Sequence, residues 1–131
     1  MRKTGELANI EANELRILKK IRVADLVTVI AFDESKMTVN VKPLVQREIS
    51  GSYVSPPPIL AVKVAQIPLE IKVDGKTADV KVKIKSGALG VVVYLDTDSD
   101  NSARTGAESR PNSVRMHSGD DAVFVGVLVP G

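Results

Sequence analysis

An all-β domain behind a single N-terminal helix is what this sequence predicts, on three observations. Helical periodicity is confined to residues 5–20, β-branched apolar runs dominate from Val23 onward, and turn residues interrupt those runs. At 131 residues the chain has the length of one domain able to bury a core without staples.

Residues 5–20 place Glu6 and Glu11 early and Arg16, Lys19 and Lys20 late, which suits the helix dipole, while Ala8, Ala12, Leu15 and Leu18 share one side. Val23–Phe32 and Met37–Val45 read as strands around the turn Asp33-Glu34-Ser35-Lys36. Ser50–Pro58 contains Gly51 and three consecutive prolines, which remove backbone donors, so a crossing loop is expected before a strand over Ile59–Ala65.

Ile67, Leu69, Ile71 and Val73 alternate with polar residues, Asp74-Gly75 is a hairpin-turn dipeptide, and Val80, Val82 and Ile84 alternate with Lys81, Lys83 and Lys85. The pattern predicts a hairpin over 67–85 with one dry face and one lysine-covered face, the lysines guarding a solvated edge. Val91–Leu95 is apolar throughout and Ala122–Val129 nearly so, as in strands buried on both sides, and one side is expected to meet another subunit. Between them, 96–121 is a long polar segment, and loops beyond ~15 residues in compact domains are usually functional or interaction elements.

Hydrophobic residues at 44% and charged residues at 26% fit a globular protein, and no apolar run approaches the ~20 residues of a membrane span. The polar start, Met1-Arg2-Lys3-Thr4-Gly5-Glu6, has no apolar signal core, so synthesis in the cytosol is expected. The absence of cysteine rules out disulfides, thiolate metal sites and cysteine nucleophiles. The net charge of +2 is too small to imply a nucleic-acid partner, but it is unevenly spread: residues 51–95 hold six Lys against three acids, and 96–131 hold three Arg against six acids.

Asp96-Thr97-Asp98-Ser99-Asp100-Asn101 resembles the start of a calcium loop, in which alternate oxygen ligands wrap a hard cation. Asn101 stands where glycine belongs and Ala107 where the closing glutamate belongs, so a strand-exit turn with Asp side chains on nearby amides is the simpler reading. His117 is the lone histidine, which leaves a triad or a multi-histidine metal site without partners and favours a surface or packing role. Nucleophile-elbow and phosphate-loop motifs are missing, so no catalytic residue, cofactor or metal is assigned. The four aromatics are Phe32, Tyr53, Tyr94 and Phe124, of which Tyr53 alone looks free, too few for a base-stacking platform.

In order, these pieces resemble the N-terminal OB-fold domain of the membrane-puncturing central spike proteins of contractile-tailed phages. The resemblance runs from the leader helix through Val23–Asp33, Thr38–Pro43 and Pro57–Val64, resumes at Ile84–Gly87 and Val91–Asp96, and closes on Arg115–Ala122, which is similar to the family's closing Arg-x-His…Asp-Ala segment, and on the final strand Phe124–Gly131. The chain departs from the family at Ser86-Gly87-Ala88, where Pro-Gly-Asp is usual, and lacks the tryptophan after Asp96. The β-helical shaft and histidine-ligated iron of such spikes do not carry over.

The resemblance implies an OB-fold-like five-stranded barrel over 23–131 behind a leader and helix over 1–22, with the 67–85 hairpin replacing the usual helix between the third and fourth barrel strands. An open β-sandwich is the alternative. It further implies a non-enzymatic homotrimer in the virion tail, placed at the baseplate centre on hub proteins, bearing a separate spike tip and touching membrane only indirectly. Subunit contacts are expected from Val91, Val93, Leu95, Val123, Val125 and Val127. The competing reading is a monomeric module binding single-stranded nucleic acid or glycan through Lys81, Lys83 and Lys85.

Overall fold

The computed structural model describes residues 5–20 and 22–129, with side chains for all of these except 16–20. The order is α1 (Gly5–Lys20), β1 (Ala24–Asp33), β2 (Thr38–Pro43), β3 (Arg47–Ile49), β4 (Ser52–Val54), β5 (Ile59–Val64), β6 (Glu70–Val73), β7 (Lys76–Asp79), β8 (Leu89–Tyr94), α2 (Asp100–Thr105) and β9 (Ala122–Val127). Strands β1, β2, β5, β9 and β8 close into a barrel in that order, and β3–β4 and β6–β7 form separate two-stranded ribbons. All barrel pairs are antiparallel except β5 with β9. This is the OB-fold-like all-β barrel the sequence predicts.

Closure removes the free edges of a five-stranded sheet, and β-branched side chains fill the narrow interior. Six valines, Val27, Val29, Val39, Val41, Val62 and Val92, are buried there with Tyr94, Ala122 and Phe124. Phe124 lies across β8 at Gly90, where a Cβ would come 2.4 Å from the ring and 2.9 Å from the Gly126 carbonyl oxygen. Glycine is therefore the residue that leaves room for the largest fully buried side chain.

Three irregularities bend the strands, the first at Ile30, where the β1–β2 register shifts between Val29 and Ala31. Ala61 stands at φ 55° within β5, and its amide donates to Asn40 Oδ1 at 2.9 Å, so the Asn40 side chain replaces a ladder bond where the β2–β5 register shifts. Val125 is the extra residue where Val92 faces Phe124 but Val91 faces Gly126. As a result Val127 stands opposite Gly90 instead of continuing the row of Val93 and Val123.

The turn after β1 forms as its residues dictate. Asp33 Oδ1 accepts from the amides of Ser35 and Lys36 at 3.0 and 3.2 Å and from Ser35 Oγ at 2.7 Å, which holds its carboxyl below the usual range.

Three expectations need correction. The Ser50–Pro58 loop begins with a hairpin: Ser50 and Gly51 adopt φ 51° and 81° and join β3 to β4. The 67–85 hairpin is shorter than expected, with strands only over Glu70–Val73 and Lys76–Asp79, and Val80–Lys85 is irregular. Its dry face is missing too, because every residue of β6 and β7 is exposed.

The reason lies in Val82 and Ile84. They turn onto the open end of the barrel, Ile84 within the core and Val82 against it, with Lys81, Lys83 and Lys85 exposed between and beside them. The amide of Val29 donates to Ala88 O and that of Gly87 to Val29 O, pinning the segment to β1. The plug that a helix would supply is built from two alternate apolar side chains, and the ribbon projects beyond it.

On α1, the exposed side includes Ala8, Ala12 and Leu15; Leu18 and the basic Arg16, Lys19 and Lys20 have side chains outside the described residues, as do Met1–Thr4 of the leader. Among the described residues no helix is long and apolar enough to cross a membrane.

Candidate functional site

The 96–121 segment is not structureless. It leaves β8 through Asp96, forms α2 with Gly106 closing it in the left-handed region at φ 69°, and returns through a 3-10 turn at Gly119–Asp121. Asn101 Nδ2 donates to Arg110 O at 2.8 Å, and Asn101 and Asn112 exchange side-chain amide bonds of 2.9 and 3.0 Å, which staples α2 to the returning chain. Ser118 Oγ accepts from the Asp120 amide at 3.2 Å and starts the 3-10 turn.

Arg115 is the centre of this segment. Its Nε donates to Asp121 Oδ2 at 2.8 Å and its Nη2 to Asp121 Oδ1 at 3.0 Å, a bidentate fork. The same Nη2 lies 2.9 Å from Asp98 Oδ1 and 2.9 Å from Asp100 Oδ2. Asp98 also accepts the Asp100 amide at 3.1 Å and Ser113 Oγ at 2.8 Å, and Asp121 accepts the Ser99 amide at 3.3 Å.

The side chains of Asp98 and Asp121 are fully buried, so their charges need these donors. The Arg115 fork is the main cause holding the Asp121 carboxyl below the usual range, and the Asp100 amide, helped by Ser113 and Arg115, does the same for Asp98. The Asp121 carboxylate raises the Arg115 guanidinium further, so it is charged at every accessible pH.

Three carboxylates, Asp98, Asp100 and Asp121, converge closely enough to ligate a metal ion. The cation they hold is the guanidinium of their own chain. Of the calcium-like run, Asp96 stands apart: it is exposed, and its Oδ1 lies 3.6 Å from His117 Nε2. The simpler reading of a strand-exit turn describes the local bonds, but sequence spacing did not reveal Arg115 as their centre.

Because the pKa values of Asp98 and Asp121 are lowered on folding, the stability they supply is present above the unfolded value of about 3.8 and is lost as pH falls through the lower folded values. Thermal midpoints measured by circular dichroism from pH 6 down to about 2 are expected to fall steeply below about pH 4. In Asp121→Asn the curve starts lower and is flatter over that range; an equally steep curve would assign the acid sensitivity elsewhere.

Beside the cluster, Tyr94 donates to Asp25 Oδ2 at 2.6 Å, and the Arg22 guanidinium sits 5.6 Å from its ring centroid. Burial, then the Asp25 bond, pushes the phenol above its ordinary range. The pair ties the chain entering β1 to the end of β8.

The six expected contact residues fall on the outside of β8 and β9 or at their ends. Val91, Val93 and Val123 are half-buried, while Leu95, Val125 and Val127 are 40%, 47% and 52% exposed. Among the described residues the outer face of these strands is thus only partly covered, and Val127 is displaced from the row by the Val125 bulge. Across the β1 pairing the same outer patch continues through Leu26 opposite Val91 and Ala24 opposite Val93. The outer side of β2 is polar by contrast, carrying Thr38, Asn40 and Lys42.

No family model matches this chain, and no curated protein is found to be similar to it.

Proposed function

We propose that this chain is a structural part of a contractile phage or phage-like tail, a homotrimeric OB-fold collar at the centre of the baseplate. In this reading it sits on hub proteins in the virion tail, bears a separate spike tip and works in envelope penetration by assembling, without catalysing a reaction.

The observation that carries the reading is the apolar outer patch of β8 and β9, where Leu95, Val125 and Val127 stay exposed while the outer side of β2, elsewhere on the barrel, is polar. A patch of that kind marks an interaction surface, and a force-bearing part needs broad buried interfaces more than scattered surface ion pairs. The Arg115–Asp121 fork supports it by making the 96–121 segment a rigid rim for the patch.

The nucleic-acid or glycan reading gains nothing comparable: Lys81, Lys83 and Lys85 lie on an irregular plug segment, and the exposed Tyr53 belongs to the β3–β4 ribbon.

Light scattering after size exclusion tests the proposal. The expected mass is three times the 14.0 kDa of the chain, with no salt-dependent binding of single-stranded DNA. A 14.0 kDa species that binds DNA with an affinity falling steeply as salt rises would overturn it.

A further inference from the structure

The β6–β7 ribbon is the least self-sufficient element of the chain. Its register places Ile71 opposite Ala78 and Val73 opposite Lys76, and Glu70 opposite Asp79 and Lys72 opposite Thr77. Leu69 and Val80 extend the first set, since the Val80 amide donates to Leu69 O at 3.4 Å. Side chains alternate across a strand, so one face is apolar apart from Lys76 and the other polar.

The apolar face is in solvent: Leu69 is 60%, Ile71 51% and Val73 57% exposed. An isolated two-stranded ribbon is marginal in water, and one that leaves its apolar face wet lacks the burial that would hold it. That face is built to be covered.

Charge says by what. The 65–88 connection carries Lys72, Lys76, Lys81, Lys83 and Lys85 against Glu70, Asp74 and Asp79, a net of +2 from five cations and three acids. It lies at the barrel end where Val64 bonds Met37 and Val29 bonds Ala88.

The 96–121 segment carries six acids against three arginines and lies at the other end, where Leu95 bonds Asp121 and Gly119 approaches Ile59. It also borders the uncovered outer patch of β8 and β9, since it connects those two strands. One molecule therefore has an apolar ribbon at a basic end and an apolar patch beside an acidic end.

We infer that the apolar face of the β6–β7 ribbon docks on the outer β8–β9 patch of a second copy of this chain, the basic end of one copy meeting the acidic end of the next. The contact is heterologous, so it propagates in one direction and closes into a ring when the rotation allows. The inference rests on the proposed function only in taking the β8–β9 patch as a surface between copies. It adds the element that fills it.

The test uses two variants of the full chain at exposed positions, which leaves the barrel core intact: Ile71→Glu in the ribbon and Val125→Glu in the patch. Circular dichroism melting checks that both fold. In sedimentation the wild type is expected to associate, and each variant alone to weaken association by at least about tenfold.

Mixed, the two variants are expected to form a stable pair, because the intact ribbon of one meets the intact patch of the other. Association of Ile71→Glu as strong as that of the wild type would overturn the ribbon while leaving the trimer reading standing. Ribbon-dependent association of any size other than three would support the docking and overturn the trimer. A wild type that stays monomeric overturns both readings, and a mixture that forms no pair although both variants fold overturns the docking alone.

Discussion

Phe124→Ala is expected to lower the unfolding free energy by about 3–5 kcal/mol, a large part of the ~5–15 kcal/mol that holds a typical domain together. Phe124 is 1% exposed and is the largest of the fully buried side chains in a cluster otherwise made mostly of valines. The ring reaches across to Gly90, which has no side chain to fill the space, and most of the fully buried side chains of the cluster are short, branched valines. Urea unfolding followed by circular dichroism measures the loss. A change under 1 kcal/mol would mean the barrel collapses onto the gap, contrary to this packing.

The same contact makes the opposite change costly. Gly90→Ala sets a methyl group 2.4 Å from the Phe124 ring and 2.9 Å from a backbone oxygen, and overpacking of this kind typically costs about 1–3 kcal/mol. The two sites are coupled, so Phe124→Leu should harm the Gly90→Ala background less than the wild type. Simple additivity of the two losses would show that the ring and the glycine do not share one space.

Replacing Arg115 is expected to have the next largest effect and a different signature. Arg115→Met leaves the buried carboxylates of Asp98 and Asp121 without their common counter-charge, and such groups regain neutrality by taking up protons. The thermal midpoint should fall at pH 7 and recover part of the loss as the pH is lowered toward about 5, a recovery that the lowered carboxylates of the wild type do not produce.

Arg115→Lys should fall between the two, since an ammonium restores charge but not the fork to Asp121. Hydrogen exchange should locate the damage, with protection lost across 96–121 while the amides of β1 and β2 stay protected. A uniform loss over the whole barrel would place Arg115 in the global core instead of at its rim.

The β6–β7 ribbon shows how a correct local pattern can be assigned to the wrong neighbours. Alternation over 67–73 and 80–84 reads as one long hairpin because both runs have a period of two. Two facts divide them: Asp74 and Gly75 turn the chain at once, at φ 52° and 77°, so that Lys76–Asp79 becomes the partner strand. Val82 and Ile84 are then free to close the barrel, a role that depends on where Val29 and Ala88 meet.

The Ser50-Gly51 turn is a signal of the dipeptide itself, and the three prolines at 56–58 explain only the extended stretch that follows β4.

What the residue order by itself determined is the set of barrel strands and the sign of the charge on each long connecting segment. Alternation, β-branching and turn dipeptides act over a few residues, and charge counts need no folding at all. What only the tertiary structure decided is which side chains meet: Arg115 with Asp98 and Asp121, 17 and 6 positions away, Tyr94 with Asp25 across 69, and the Phe124 ring over Gly90. Those meetings depend on barrel closure and on the bulge at Val125, and closure couples residues whose spacing along the chain has no period to read.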